Sequence, residues 1–220
     1  MNPQKIQNQL TTHMRDYASV SLRLESCKNV ILNGRLQCAA NMLRKSYVNA
    51  VMSIQTTKDR HETAYSMWQN GHDLKNACLE TVYGGQKHGW IQRTFEKTNF
   101  KMLVLAIRNH YKNDRIVKLL EVIENNLVGV SYTKGSFMLA MVGFTEYMCI
   151  DSNCRNFLGI EERINHKNAK EYMDMVYDVR EKIVNGNPWI SNFIIQWAIY
   201  DYERGEHARH MPFYRSVLSL

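Results

Sequence analysis

With 220 residues and 45% hydrophobic content, the chain can build a substantial core, either as one large domain or as two small ones sharing a groove. Its 28 basic and 21 acidic residues leave a formal charge of +7, which favours a polyanionic partner through counterion release but does not by itself single out nucleic acid. The five cysteines, Cys27, Cys38, Cys78, Cys149 and Cys154, are odd in number, scattered and without CxxC spacing, so they indicate neither a disulfide framework nor a zinc site, and reduced thiols are expected.

The first ten residues are polar where a signal peptide would need an apolar stretch, and no run approaches the roughly 18 apolar residues of a membrane span. A soluble intracellular protein, in cytoplasm, nucleoid or nucleus, is the expectation. Three prolines, few β-branched alternations and recurrent spacings of three and four predict an all-α chain. Helices are predicted near 3–24, 35–55, 59–70, 73–83, 90–111, 114–126, 133–143, 152–158, 166–184 and 188–204. Asn33-Gly34, Asn70-Gly71, Gly84-Gly85, Gly89, Gly129, Gly159 and Gly186-Asn187 provide the punctuation. Ile116, Leu119, Leu120 and Ile123 share one helical face, while Asn187 and Pro188 read as the cap and first position of the last helix.

The most informative stretch is Leu127-Val128-Gly129-Val130-Ser131-Tyr132-Thr133-Lys134-Gly135-Ser136-Phe137, between two amphipathic helices. Gly129 permits a tight turn and close backbone approach, and the N–H groups opening the next helix form an anion site for which phosphate is the natural ligand. A plain loop between packed helices accounts for the same residues. Eighteen positions beyond Thr133 stands Asp151, ahead of a short amphipathic segment. Helix capping explains its residue type. A carboxylate fixed there, one helix from a phosphate-gripping hairpin, is also placed to stabilise positive charge developing on a sugar as its base departs.

Residues 129–136 resemble the LPGVGxKTA hairpin of the helix-hairpin-helix DNA glycosylase superfamily, and residues 150–158, IDSNCRNFL, resemble its VDTNVxRVL segment. Order and separation are similar to those of the endonuclease III and adenine glycosylase branches. Residues 50–59, AVMSIQTTKD, resemble the AxLSxQTxD segment, whose glutamine enters DNA where a base has flipped out, and residues 89–94, GWIQRT, resemble the GFYRxKA segment. Together the four matches span roughly 45–160.

The resemblance implies two helical lobes with an interlobe DNA- and base-binding cleft. Residues 1–44 would pack with 148–220 as one lobe, and 45–147 would form the other, with the helix-hairpin-helix at about 120–143. It implies a DNA N-glycosylase acting as a monomer on double-stranded DNA with a damaged, mismatched or modified base, with no membrane partner. Asp151 would be catalytic; Gln55, Gln92, Arg93, Gly129, Ser131, Thr133, Lys134 and Gly135 would contact DNA; Trp90, Tyr147, Met148 and Trp197 would line the base pocket. The alternatives are a base-modifying enzyme of the phage thymine-hypermodification type on the same scaffold, and a non-catalytic helix-hairpin-helix binding protein.

Departures from the pattern refine this. Val128 and Ser131 stand where the family has proline and its second hairpin glycine. Thr133 occupies the register of the catalytic lysine of the bifunctional branches, with Lys134 one place later; one residue rotates a side chain about 100° around a helix. Lys134 is therefore expected as a phosphate contact or solvated lysine, and is catalytic only if the hairpin register shifts. Lyase activity is not expected. No cysteine follows Cys154, so no iron–sulfur cluster is expected, although a monovalent cation at the hairpin is compatible with the resemblance. Glu203, His207 and His210 have metal-like spacing broken by Gly205, and no metal is expected there. Trp189, Phe193, Trp197 and Tyr200 form a stripe read as core or as a pocket wall for an extruded base. His61 and His88 are expected at the surface, without partners.

Overall fold

The computed structural model describes residues 2–12, 14–160, 168–184 and 190–205. Among these residues the chain is all-helical, with α1 Pro3–Thr12, α2 Met14–Asn33, α3 Leu36–Met52, α4 Lys58–Gln69, α5 Leu74–Leu79, α6 Gly84–Lys97, α7 Phe100–Lys112, α8 Ile116–Asn126, α9 Tyr132–Met141, α10 Ser152–Leu158, α11 Ala169–Val184 and α12 Asn192–Arg204. No described helix is long and apolar enough to cross a membrane.

The predicted helix 3–24 is instead α1 and α2, the latter running on to Asn33, and three further expectations change, each for a local reason. The predicted helix 90–111 is two helices, because the Asn99 side chain accepts from the N–H groups of Lys101 (3.1 Å) and Met102 (3.3 Å) and so starts α7 afresh. The glycines at 84, 85 and 89 do not precede a helix but lie within α6. Gly84 is needed there, since a Cβ would stand 2.2 Å from the Cys78 carbonyl oxygen. The last helix is capped by Ser191, whose hydroxyl accepts from Ile194 N–H, rather than by Asn187, which lies outside the described residues with Pro188 and Trp189.

The chain divides into two compact units, residues 1–29 with 139–220, and residues 30–138. The sequence placed these divisions at 44/45 and 147/148. Helix α3 lies in the second unit, where it packs on α4, α6 and α7, because its long buried face from Ala39 to Met52 needs apolar partners on several sides. In the same unit α7 packs on α8 and α5 on α4 and α6.

In the first unit α1 packs on α11 and α12, and α10 on α12. Its core includes Ile6, Leu10, Tyr17, Leu24, Phe144, Tyr172, Met173, Phe193 and Ile195. Asp201, fully buried, accepts a 2.7 Å hydrogen bond from the Tyr17 hydroxyl. Gly143 has φ +98°, and a Cβ there would lie 2.1 Å from the Leu24 carbonyl oxygen and 2.6 Å from Lys28 Cβ. Gly159 has φ +70° with open space around it. Gly143→Ala is expected to cost at least about 2 kcal/mol, strain and overlap adding, against about 1 kcal/mol for Gly159→Ala. Equal denaturation midpoints for the two variants would contradict the close α2 approach.

Candidate functional site

Helices α8 and α9 are joined by a turn centred on Gly129 at φ +78°. A Cβ on Gly129 would meet the Trp90 ring at 2.5 Å, so the turn packs flat against indole. Ser131, exposed, opens α9 by accepting from Gly135 N–H at 2.7 Å. Gly135, expected at DNA, is instead buried. A Cβ on it would stand 3.1 Å from Leu120 and 3.2 Å from Ile123, so its missing side chain serves the close packing of α9 on α8.

The hairpin is fastened from below by Tyr47 and Thr94, which sequence reasoning did not single out. The Tyr47 hydroxyl proton lies between the carbonyl oxygens of Val128 (2.9 Å) and Trp90 (3.1 Å). Thr94 Oγ1 is 2.8 Å from the same hydroxyl and accepts from Val128 N–H at 3.0 Å. Burial pushes the Tyr47 phenol up to about 12, against a smaller opposing effect of the Thr94 bond, so it stays a neutral donor. Trp90, expected in a base pocket, covers the hairpin glycine.

The sequence-predicted Gln55 sits in the turn between α3 and α4, exposed and at φ +49°. Lys87 holds this turn. Its side chain is fully buried, and its ammonium donates to Met52 O (3.0 Å), Ile54 O (2.6 Å) and Thr56 Oγ1 (2.6 Å). Three protons meet three acceptors, two of them carbonyls at the negative end of α3. Burial, then the charge of Lys134, lower Lys87 to about 8. A signal for Lys87 was present in the sequence: Gly84, Lys87, Ile91 and Thr94 follow spacings of three, four and three, and all four are buried on one face of α6.

Lys134 is half-buried rather than solvated. Its Nζ donates to Ser53 Oγ at 3.0 Å and lies 5.3 Å from the Phe137 ring centroid. Thr133 precedes it in the first turn of α9, half-buried. Gln92 and Arg93 are exposed on α6, with Gln92 donating to Glu96 at 3.1 Å.

In the other unit, Asp151 caps α10. Its Oδ1 accepts from Asn153 N–H and Cys154 N–H, both at 3.0 Å, and Oδ2 faces Asn153 Nδ2 at 3.4 Å. The strap before it is pinned by side chains of α11 and α12. The Tyr172 hydroxyl donates to Met148 O at 2.6 Å and accepts from Ile150 N–H at 3.0 Å, while Gln196 Oε1 accepts from Cys149 N–H at 2.7 Å. Asn192 Nδ2 donates to Glu146 O at 2.6 Å. Tyr147, Met148 and Trp197 are buried in this unit, as is Phe193 of the aromatic stripe, whose rings at 193 and 197 lie 6.0 Å apart. Trp197 and Tyr200 follow at 5.2 Å. No group of three His, Cys, Asp or Glu suited to a metal occurs among the described residues, which exclude His207 and His210.

His88 is half-buried, and His61, expected at the surface, is buried within 2.8 Å of Asn49 Oδ1 and 3.2 Å of Asn49 O through Nε2. Burial, then the charge of Lys134, lower it to about 3, with Lys87 adding to the effect and the Asn49 bond opposing it. Between about pH 6.5 and 3 the unfolded chain binds a proton that the folded chain refuses, so stability falls as pH drops through that window. This one group contributes up to about 1.4 kcal/mol per pH unit. Denaturant titrations at several pH values should show a shallower acid dependence for His61→Gln than for wild type; parallel curves would contradict a neutral buried imidazole. Comparison with protein-family models, curated proteins and solved structures finds no match to this chain.

Proposed function

We propose that the chain is a monofunctional DNA N-glycosylase that flips a base out of duplex DNA and hydrolyses its N-glycosidic bond. The observation that carries the reading is the helix–turn–helix of α8 and α9 around Gly129, followed at family-like spacing by the capping carboxylate of Asp151. The exposed Ser131 and the amides opening α9 offer a phosphate its hydrogen bonds, and a net charge of +7 favours the polyanion. Exposed Arg93 and Gln92 on α6 are further backbone contacts, and exposed Gln55 fills the vacated stack.

In this mechanism the bond between the anomeric carbon and the base nitrogen breaks with its electron pair leaving on the base. Asp151 stabilises the oxocarbenium-like sugar, and water adds to the anomeric carbon, giving up its proton to the carboxylate. The backbone bonds to Oδ1 keep the carboxylate oriented, while Tyr172 and Gln196 fix the strap behind it. Thr133 has no amine with which to form a Schiff base, and Lys134 is engaged with Ser53.

The decisive experiment incubates the protein with a panel of lesion-bearing duplexes and measures free base and alkali-labile abasic sites. Base release with the strand intact until alkali is the expected result. Transfer of a group onto the base would instead identify a modifying enzyme, and salt-sensitive binding without chemistry a binding protein. Asp151→Asn preserves the helix cap, since Asn caps as well as Asp, yet should lower turnover at least about 100-fold with DNA affinity nearly unchanged. Wild-type turnover in that variant would reduce Asp151 to its structural role. Borohydride should trap no protein–DNA adduct; an adduct lost in Lys134→Ala would establish lyase chemistry.

A further inference from the structure

A cavity of about 390 Å³ opens among α3, α6 and α7, walled in part by Ala40, Asn41 and Arg44 of α3, Phe95 of α6, and Phe100 and Lys101 of α7. Its size falls within the range of about 300–1,000 Å³ typical of small-molecule sites. None of the residues assigned to DNA lines it. No Asp or Glu lines it either, in a chain with 21 acidic residues.

The wall offers donors whose own acceptor atoms are already engaged. Asn41 Oδ1 accepts from Gln37 Nε2 at 2.9 Å, and Asn99 Oδ1, also at the cavity, accepts from the N–H groups of Lys101 and Met102. These bonds orient both carboxamides and leave their Nδ2 groups to donate. The Arg44 guanidinium lies over the Phe95 ring, 3.8 Å from its centroid, an arrangement that occupies one face of the cation and leaves its N–H edges open. Among the described residues, neither Arg44 nor the Lys101 ammonium has a carboxylate or other hydrogen-bond acceptor. Two positive charges and a surplus of donors call for an anion.

Charge and shape narrow the class of anion. A phosphate monoester near pH 7 carries about −1.5 to −2, close to the combined charge of Arg44 and Lys101, whereas each phosphodiester of a DNA backbone carries a single charge. Phe95 and Phe100, both half-buried with ring centroids 6.2 Å apart, add an apolar wall that a bare phosphate would leave unused and a planar ring would cover. We propose that this cavity binds a small molecule that joins a phosphate monoester to a planar ring, of the nucleoside monophosphate class, with Arg44 and Lys101 on the phosphate. The site goes beyond the glycosylase reading and does not depend on it.

Isothermal titration calorimetry with adenosine 5′-monophosphate tests this, with adenosine, inorganic phosphate and a short unmodified duplex as the other ligands. The nucleotide should bind saturably, and adenosine and inorganic phosphate, each lacking one half of it, should bind at least about 10-fold more weakly. Arg44→Gln should weaken nucleotide binding about 10-fold. Asn41→Glu should do the same by a different route, since it offers Arg44 a carboxylate one helical turn away that competes with the ligand. Both positions are exposed on α3, so the unfolding midpoints should match wild type. Lys118→Gln, an exposed charge change on α8, should leave the affinity as it is. Equal affinity for inorganic phosphate and the nucleotide would overturn the nucleotide class. If the duplex displaces the nucleotide and Arg44→Gln weakens both equally, the cavity holds a backbone phosphate and the small-molecule assignment is overturned. Absence of saturable binding, or affinity unchanged in both α3 variants, overturns the site itself, while base release from lesion-bearing duplexes remains the separate test of the glycosylase reading.

Discussion

One shared proton organises the unit formed by residues 30–138. The Tyr47 hydroxyl has a single hydrogen between two carbonyl oxygens, those of Val128 and Trp90, and a Thr94 hydroxyl close enough to supply a second bond. These are backbone acceptors at the hairpin and on α6, and leaving them unpaired in a dry interior would cost about 1–3 kcal/mol each. A side chain of α3 thus fixes where the hairpin turn sits relative to α6, and the Trp90 indole then closes on Gly129. The shape of the turn follows from this buried polar node as much as from the turn residues themselves.

A second buried polar element sits at the C-terminal end of α3, little more than one turn beyond Tyr47. Lys87 spans from α6 to the orphan carbonyls of the α3 C-terminus, doing with an ammonium what a left-handed glycine usually does with backbone N–H groups. The cation is tolerated in the interior because its hydrogen-bonding capacity is filled and because it meets the negative end of the helix. Lys134 and His61 complete the neighbourhood. Burial first, with the charges of the two lysines adding to it, keeps the imidazole neutral, so positive charge is concentrated on the amines, close to Ser53 and the Gln55 turn.

In the other unit the same economy recurs with different chemistry. The strap from Glu146 to Ile150 is held through its backbone by side chains of α11 and α12, those of Tyr172, Asn192 and Gln196. It delivers Asp151 to the start of α10 with its carboxylate already committed to two N–H groups. Capping and the proposed catalytic role draw on one property, a carboxylate whose orientation is fixed before any substrate arrives. The structural and functional accounts of Asp151 are therefore compatible.

Periodicity in the sequence was enough to establish an all-helical chain and the extents of elements such as α8 and α10, because each carries its own apolar face or its own cap, Asp151 for α10 and the Ile116, Leu119, Leu120 and Ile123 stripe for α8. The turn at Gly129 was legible for the same reason: a positive φ favours the one residue that lacks a Cβ. What tertiary structure decided were the partners. Glycines at 84, 85 and 89 read as breaks, yet the closeness of Cys78 makes Gly84 a requirement for starting α6. His61 read as a surface residue because an imidazole is normally solvated, and Lys87 drew no reading at all; only the amide of Asn49 and the carbonyls at and just beyond the end of α3 make their burial tolerable. The packing of Trp90 on Gly129 and of Gly135 on α8 was hidden on the same ground: a side chain's type and spacing are local, whereas the surface it packs against is assembled only when the helices meet.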